Sequence, residues 1–320
     1  MKVIKWLKEN VFYIRNWKRE IKKEIKYEKK GKKLEYLKKW YFKKTGLILN
    51  IENPTTFTEK QQVIKLNNDT KIKTFCTDKY LVRSFIERVI GADYLIPIVS
   101  INGKDKFTNA FEIGFDDLPN SFVIQCNHGA HMTHVVKDKK KLGKKGFRKL
   151  QKRLNRELKV NYAYCHGYEM QYKNIQPCIF ITEFISSSGD LPDYKFFCFN
   201  GEMKYFSIDT DRFNNHKRTI YDAEYQIAEF QCPQYEMVDI KIESELLDRM
   251  KMIVYSLADY FDFVRVDLYA AGDKIYFGEL TFSSASGIAI LTPENSNLNM
   301  SNYIDLTKMG KAKKNFYEEI

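Results

Sequence analysis

The sequence lacks the long apolar run that a membrane-spanning helix requires. None of its hydrophobic stretches approaches the ~18 uninterrupted apolar residues that cross a bilayer. Near the start, Lys5, Lys8 and Glu9 interrupt any apolar segment of the kind found in secretory signals, so we expect no such signal. Glycine and proline, at 15 and 7 of 320 residues, are too scarce for a collagen or a low-complexity disordered chain. The chain also has no internal repeat and no flexible linker.

Closely spaced cysteines are missing as well. The six cysteines are widely separated and include no C-x-x-C pair, so we expect neither a disulfide framework nor a zinc site among them. Widely spaced cysteines of this kind usually serve as small apolar residues in the reducing cytoplasm. We therefore expect the protein to be cytoplasmic. His128, His131 and His134 recur every three residues, but flanking strands would not hold all three side chains on one face.

Positive charge, by contrast, is plentiful and unevenly placed. Hydrophobic residues make up 44% of the chain, enough for the core of one large or two modest domains. Residues 1–45 hold 17 Lys and Arg against 5 Glu, and so account for the whole formal net charge of +12. The sequence therefore predicts a neutral body preceded by a basic arm over residues 1–50.

The arm has the pattern of a basic amphipathic helix. Apolar residues recur at steps of three and four; they are Ile4, Leu7, Val11, Ile14, Trp17, Ile21 and Ile25. Two interpretations stay open: the helix packs on the body, or residues 1–45 make a peripheral contact with an anionic membrane surface. Nucleic-acid binding is not expected, because no motif for it is present.

A second basic run extends from Lys137 to Lys159, with 12 Lys and Arg against Asp138 and Glu157. Its leucines predict a helix from about Lys145 onward. The run is either a solvated helix face or a surface that attracts a polyanionic substrate, such as an anionic glycan or a lipid-linked sugar.

The body alternates helical and strand patterns, which predicts the α+β (mixed α/β) class. Helices are expected over residues 54–67, from Asp78 as the N-cap to Ile90, and over Ser244–Phe261. Single strands are expected near Leu95–Ile101, Phe122–Cys126, Thr133–Lys137 and Cys178–Ile185. Two hairpins are expected, Tyr194–Phe199 with Met203–Ile208 around Asn200-Gly201, and Phe263–Tyr269 with Lys274–Phe282.

The last hairpin places Asp267 and Glu279 on neighbouring strands. Two buried acids cost several kcal/mol unless they are paired, and a divalent cation such as Mg²⁺ is one solution. A two-residue turn alone would point the two side chains apart, so shared facing requires a longer loop or a bulge. The alternative is that Asp267 pairs with a basic side chain and Glu279 faces solvent.

Two further patterns could bind phosphate. Lys195 and Arg212 fall near neighbouring strand positions, where they could meet phosphate oxygens or instead pair with Asp193 and Asp211. The polar turn over residues 127–131 could cradle phosphates with its backbone N–H groups.

Together these stretches resemble the TupA-like branch of the ATP-grasp proteins, named for teichuronopeptide biosynthesis. The resemblance covers roughly residues 54–295, and we expect that domain to occupy residues 51–300, followed by a tail over 301–320. The matching stretches are Thr77–Arg83, Cys126–Gly129, Ile181–Ile185, Asp193–Glu202, Asp211-Arg212, Val264–Tyr269 and Tyr276–Phe282.

The resemblance implies two α+β subdomains that grip ATP with Mg²⁺. For the nucleotide, the resemblance implies an adenine hinge at Glu183, Phe184 and Ile185, and a phosphate lid over Asn127–Met132 that includes Asn127, His128 and Gly129. It also implies that Lys195 and Arg212 contact phosphate and that Asp267 and Glu279 are magnesium ligands. Lys79 and Arg83 would border the nucleotide or the substrate.

The implied activity is that of an ATP-dependent carboxylate–amine ligase. It would act through an acyl-phosphate in the biosynthesis of a bacterial surface polysaccharide, such as a capsule. Two departures from the family pattern are Gln125, where many members have lysine, and a lid with one glycine. The alternatives are a glycosyltransferase using Asp209-Thr210-Asp211, and a non-catalytic nucleotide-binding partner protein.

Overall fold

The architecture is taken from a computed structural model, which describes residues 17–67, 70–185, 191–211, 215–240, 243–293, 295–307 and 309. Three predictions lie wholly or partly outside these residues: the arm before residue 17, Arg212, and the tail from residue 310. Among the described residues, no helix combines the length and the apolar character needed to cross a membrane.

Eight α-helices occur in the described residues. They are α1 (17–29), α2 (Lys33–Thr45), α3 (Phe57–Asn67), α4 (Lys71–Thr77), α5 (Val82–Val89), α6 (Lys139–Glu157), α7 (Ser244–Ala258) and α8 (Ser296–Ser301).

Nine strands form two antiparallel sheets. They are β1 (Lys106–Phe107), β2 (Phe122–Cys126), β3 (Thr133–Val136), β4 (Ile179–Glu183), β5 (Asp193–Phe199), β6 (Glu202–Thr210), β7 (Lys217–Asp222), β8 (Phe263–Ala271) and β9 (Lys274–Thr281). The first sheet has the order β1-β4-β2-β3 and the second the order β7-β6-β5-β8-β9. Helices and antiparallel sheets together confirm the α+β class.

The chain divides into two compact units, each with its own core. Unit 1 takes the chain as far as Lys43, then Asp78–Tyr80 and Pro97–Phe184; unit 2 takes Lys44–Thr77, Leu81–Ile96 and the chain from Ile185 onward. In unit 1, apolar side chains of the first sheet pack against α6 through Phe147, Leu150 and Leu154.

In unit 2, one face of the second sheet is apolar along its whole width. Helices α5 and α7 cover that face, with Phe85, Val254 and Leu257 packed on strand residues such as Phe206 and Val266. The opposite face is apolar only at one end, where α3 and α8 pack on it through residues such as Phe57 and Met300. The remainder of that face carries the charged side chains considered below.

Local sequence signals explain several element ends. Thr56 and Glu59 form a capping box at the start of α3: the Glu59 N–H donates to Thr56 Oγ1 (3.2 Å), and the Thr56 N–H donates to Glu59 Oε2 (3.0 Å). Asn200 and Gly201 have φ of 53° and 88°, as a two-residue hairpin turn requires. The helix predicted over 54–67 and both hairpins are confirmed.

Two predictions about elements are wrong, and a third holds only for part of its helix. Helix α5 begins at Val82, because the Asp78 carboxylate accepts from the Tyr80 N–H and the Asn127 amide instead of capping a helix. Residues 95–101 form only isolated bridges, at Ile98 and Ile101, and no strand. Helix α6 spans Lys139–Glu157 with Asp138 as its N-cap, but its backbone is not helical at Gly143 (φ 64°), so the continuous helix starts close to the predicted Lys145.

The described part of the arm packs on unit 1, in line with the first of its two interpretations. Trp17 joins the unit 1 core, and its ring lies 6.0 Å from that of Tyr162. The fully buried Glu24 carboxylate accepts from the Gly167 N–H (2.9 Å) and the Tyr168 N–H (3.1 Å). Most of the arm lysines in the described residues are exposed, whereas Lys33 Nζ lies 5.3 Å from the centre of the Tyr168 ring.

Candidate active site

The charged part of the second sheet brings three predicted site residues into one row. Lys195 on β5 lies opposite Asp267 on β8, and Asp267 lies opposite Glu279 on β9. Directly opposed residues of antiparallel strands project to the same side of a sheet. The pairing of these strands therefore collects one ammonium and two carboxylates from segments about 70 residues apart.

A bulge in β9 is what puts the two acids on the same face. The turn between β8 and β9 has only two residues, Gly272 and Asp273, which alone would point Asp267 and Glu279 apart. The pairing shifts between Asp267 and Leu268, and leaves Gly278 as the extra residue. A Cβ at Gly278 would lie 2.9 Å from the Asp267 carbonyl oxygen, so the bulge favours glycine. The prediction that common facing requires a bulge or a longer loop is confirmed.

Lys195 is held between two buried carboxylates. Its Nζ lies 2.6 Å from Asp193 Oδ2 and 2.7 Å from Asp267 Oδ2, and the three residues are at most 4% exposed. Because Asp193 and Lys195 are two apart on one strand, their side chains share a face. The interpretation of Lys195 as an ion-pair partner of Asp193 is confirmed for the structure described.

Arg265 is the residue whose role the sequence interpretation missed. Its Nε donates to Asp267 Oδ1 (2.6 Å) and its Nη2 to Asp267 Oδ2 (2.7 Å), while Nη1 donates to Ser284 Oγ. Burial by itself would lower the pKa of Arg265, but the charge and hydrogen bonds of Asp267 raise it above its ordinary value. The spacing of Arg265 and Asp267, two residues apart on a strand, is the signal that could have revealed this pair.

Glu279 is the more accessible of the two predicted magnesium ligands. Its side chain is 37% exposed and lies 3.4 Å from Arg265 Nη2 and 3.3 Å from Thr281 Oγ1. The alternative, in which Asp267 pairs with a basic side chain, is what the structure shows. In this arrangement, the Glu279 carboxylate lies at the exposed end of the row formed by Lys195, Asp267 and Glu279.

A second ion pair on the same face involves Asp209 and Arg218. Both Asp209 oxygens accept from the Arg218 guanidinium at 2.6 Å, and His216 Nε2 lies 3.1 Å from Oδ2. Burial by itself would raise the pKa of Asp209, but the hydrogen bonds and charge of Arg218 bring it below its ordinary value.

In unit 1, the side chains that begin the predicted lid point inward. Asn127 Nδ2 donates to Asp78 Oδ2 (2.8 Å) and to the Gln176 carbonyl (2.9 Å), and Asn127 Oδ1 accepts from the Cys178 N–H (2.8 Å). His128 Nε2 lies 3.2 Å from the Glu157 carbonyl oxygen, and burial lowers the pKa of its imidazole. These contacts hold the side chains of Asn127 and His128 in the interior of unit 1.

Other predicted nucleotide residues lie near the first sheet. The Lys79 N–H donates to the Asn127 carbonyl (3.0 Å), which joins Lys79 to the turn that contains Gly129. Glu183 ends β4 and its N–H donates to the Pro97 carbonyl, and Phe184 follows it directly. The change of unit falls between Phe184 and Ile185.

The sheet position of Gln125 is also defined. Gln125 and Lys106 are both opposite Phe180, one on each side of β4, so all three side chains share a face. Gln125 Oε1 accepts from Thr133 Oγ1 at 3.1 Å. Lys106 Nζ lies 5.2 Å from the centre of the Tyr80 ring, and so supplies a cation on the face that Gln125 leaves uncharged.

Solved structures of ATP-grasp proteins are similar to this chain at low identity. They include a D-alanine–D-alanine ligase from Bacillus anthracis with ATP (15% identity, TM-score 0.42, 75% of this chain and 66% of that one). Another is the D-alanine–D-alanine ligase from Helicobacter pylori, with 12% identity and a TM-score of 0.38, over 78% of this chain and 69% of that one. A third is the ATP-grasp ligase PsnB with a precursor variant, Mg and ADP, with 11% identity and a TM-score of 0.36, over 74% of this chain and 57% of that one.

Family-level similarity is more informative than these structures. The search of curated proteins gave no match. The sequence model of the TupA-like ATP-grasp family, however, matches residues 59–305, which include both sheets and every described residue of the charged face. On that match, the chain belongs to the TupA-like ATP-grasp family.

Proposed function

We propose that the protein is an ATP-dependent carboxylate–amine ligase that acts in the cytoplasm on a surface polysaccharide. The observation that carries the proposal is the row of Lys195, Asp267 and Glu279 on one sheet face, in a chain of the ATP-grasp family. Fixed cations beside carboxylates suit the handling of phosphate groups, in which catalysis is mostly positioning and charge stabilisation.

The residues present fit a magnesium ion that is shared with a nucleotide. Asp267 and Glu279 would hold it, and both supply the hard oxygen ligands that Mg²⁺ prefers. No group of three or more His, Cys, Asp or Glu in the described ranges could hold a metal alone. Two carboxylates completed by phosphate oxygens and water are a usual magnesium arrangement. When bound, the ion would neutralise charge on the phosphates of ATP.

The chain's own charged groups would provide the rest of the chemistry. An acceptor carboxylate oxygen attacks the γ-phosphorus of ATP and ADP departs; an amine then attacks the acyl carbon, loses a proton and releases phosphate. Lys195 would offset the negative charge of the phosphoryl group, and Arg265 would keep Asp267 in position through its two hydrogen bonds. We include Arg212 in the same role as Lys195.

The acceptor that we propose is a uronic acid carboxylate of an anionic glycan. Helix α6 supports this choice, because its exposed surface is basic along its length, as at Lys145, Lys149 and Lys152. Such a surface raises the local concentration of a polyanion.

The test is ATP-dependent thermal stabilisation, measured with and without Mg²⁺. Nucleotide at 100 times its dissociation constant adds about 2.7 kcal/mol of stability. We expect a Mg²⁺-dependent shift in the wild type that Glu279→Ala removes and that Glu202→Ala, a matched exposed acid, retains. Stabilisation by a sugar nucleotide and none by ATP would contradict the proposal.

A second candidate is a nucleotide-binding partner protein without turnover. Gln125 at a position where many family members have lysine favours it, as do the inward-facing side chains of Asn127 and His128. Measuring ADP release in the presence of a uronic acid and an amine distinguishes the ligase from the partner protein without turnover. ATP stabilisation with no ADP formed across a panel of such acceptors would support the second candidate.

A further inference from the structure

The hairpin of α1 and α2 has an outer surface for which the proposed ligase activity has no use. We call it the basic face; its exposed residues are Lys18, Arg19, Lys22, Lys23, Lys26, Lys29, Lys30, Leu34, Lys38, Lys39, Phe42 and Lys43. Residues 17–45 contain 13 Lys and Arg against four Glu, a formal charge of +9. This is a dense charge for a segment of two short helices.

Both helices rest on the same segment of unit 1, residues 162–168. From α1, Trp17 contacts Tyr162 and Glu24 accepts from the N–H groups of Gly167 and Tyr168. From α2, the Tyr36 ring lies 5.7 Å from that of Tyr168, and a Cβ on Gly167 would come within 2.7 Å of the Trp40 ring. Because the inner sides share one support, the outer sides of α1 and α2 form one continuous surface.

Two of the four acids of the hairpin are directed away from that surface: Glu24 is buried, and Glu28 accepts from the Tyr164 hydroxyl (2.7 Å) and Lys173. Glu20 accepts from the Tyr36 hydroxyl and also pairs with Arg19 (3.6 Å) and Lys23 (3.5 Å) of the basic face. Glu35 lies on the outer side, where it pairs with Lys32 and Lys39. Sorting the charges in this way leaves the basic face strongly positive.

Apolar side chains lie among the lysines of α2. Phe42 is 55% exposed and Leu34 is 40% exposed, and Lys38 lies between them along the helix. Helix α6 differs, because it is equally basic but has no exposed large apolar side chain. An aromatic ring set among lysines suits the boundary of a bilayer, where the ring enters the headgroup region and the ammonium groups meet lipid phosphates.

We propose that the basic face docks on an anionic phospholipid bilayer, with Phe42 inserted among the headgroups. The positive charge complements the lipid phosphates, and Phe42 distinguishes a bilayer from a soluble polyanion, which has no apolar layer to receive it. The proposal is independent of the ligase activity, because none of the residues of the charged sheet face takes part in it.

The test is co-sedimentation of the full chain with lipid vesicles. We expect binding to vesicles of equal parts phosphatidylglycerol and phosphatidylcholine, no binding to pure phosphatidylcholine, and weaker binding as NaCl is raised. Replacing Lys22, Lys26 and Lys38 together by Gln should weaken binding roughly 100-fold, from about 1 kcal/mol for each charge near the surface. Phe42→Ser should weaken it about tenfold.

The matched control removes the same charge from helix α6. Replacing Lys145, Lys149 and Lys152 by Gln should leave vesicle binding within about threefold of the wild type, because those residues lie outside the basic face. Equal losses from both triple variants would overturn the proposal in favour of diffuse attraction. Absence of binding to the anionic vesicles would overturn it too. The proposal would also be overturned if soluble polygalacturonate competed fully with the vesicles and its binding were unchanged by Phe42→Ser.

Discussion

Among single residues, Gly278 determines which carboxylates lie together on the charged face. With a regular two-residue hairpin, Asp267 and Glu279 would lie on opposite faces of the sheet. The bulge at Gly278 restores their common facing, and its missing Cβ allows the close approach of the Asp267 carbonyl. One residue without a side chain therefore determines whether two carboxylates can act together.

The pairing of charges on this face is equally a matter of single residues. The sequence indicated that Asp267 was either a metal ligand or half of an ion pair, and the structure shows Arg265 and Lys195 on its two oxygens. The two interpretations are compatible, since a carboxylate oxygen has more than one lone pair. The Lys195 partner was not predictable because it depends on the register of β5 and β8, which sequence spacing alone does not determine, whereas Arg265 lies two residues from Asp267 on the same strand.

Asp209 should make the stability of the protein depend on pH in the acid range. Its folded-state pKa is below the unfolded value near ~3.9, so its contribution is complete above that value and is lost as pH falls through the folded pKa. We expect Asp209→Asn to cost about 3–5 kcal/mol at neutral pH, because Arg218 loses its partner, and to flatten the acid dependence. Urea unfolding at neutral and acid pH measures both.

Asp273→Asn is the control for this experiment. Asp273 is an exposed turn acid, and its replacement should leave the pH dependence unchanged. A steep acid loss that persists undiminished in Asp209→Asn would assign the dependence to other carboxyl groups.

At the scale of elements, helix α1 depends on one buried carboxylate. Glu24 satisfies two backbone donors at Gly167 and Tyr168, so Glu24→Ala would leave both donors buried and unpaired, at about 1–3 kcal/mol each. We expect α1 to detach before the rest of unit 1 unfolds. Limited trypsin digestion should then cleave within residues 17–45 much faster than in the wild type.

Glu35→Ala provides the matched comparison, because Glu35 lies on the outer side of α2 and pairs only with surface lysines. Its digestion rate should equal that of the wild type. Equal digestion of Glu24→Ala and Glu35→Ala would show that the packing of Trp17 and Tyr36, and not the Glu24 carboxylate, holds the hairpin.

The predictability of the elements follows from the range of the interactions that form them. The capping box at Thr56 and Glu59 and the Asn200-Gly201 turn are local, and the elements next to them were predicted well. Asp78 was misassigned as a helix cap, because its partner Asn127 is 49 residues away. The lid was predicted only as a backbone cradle, and the contacts that turn the side chains of Asn127 and His128 inward, with Gln176 and Glu157, come from distant parts of the chain.

At the scale of the whole molecule, charge divides between the two units. Over their sequences, unit 1 has 32 Lys and Arg against 14 Asp and Glu, a net +18, and unit 2 has 21 against 27, a net −6. The sequence comparison of arm and body had suggested a neutral body. The fold assigns both basic segments, the arm and α6, to one unit, and so concentrates the charge.

This concentration should make unit 1 more stable in salt. Like charges repel, and the screening length falls to about 8 Å at physiological ionic strength. All three tryptophans precede residue 45, so tryptophan fluorescence reports on this part of the chain. We expect the urea midpoint by fluorescence to rise with added NaCl, and to rise less when Lys145, Lys149 and Lys152 are replaced by Gln. A midpoint that falls with salt would mean that attractive ion pairs dominate.

The sequence by itself determined the α+β class, both hairpins, most helices and the family-specific stretches, because periodicity, turn glycines and capping residues act over a few positions. Only the tertiary structure decided the contact of Asp267 with Lys195, the inward facing of Asn127 and His128, and the docking of α1 through Glu24. Those features depend on strand register and on contacts between distant segments. A change of one residue in register reverses a side chain's face, and composition and spacing do not specify that register.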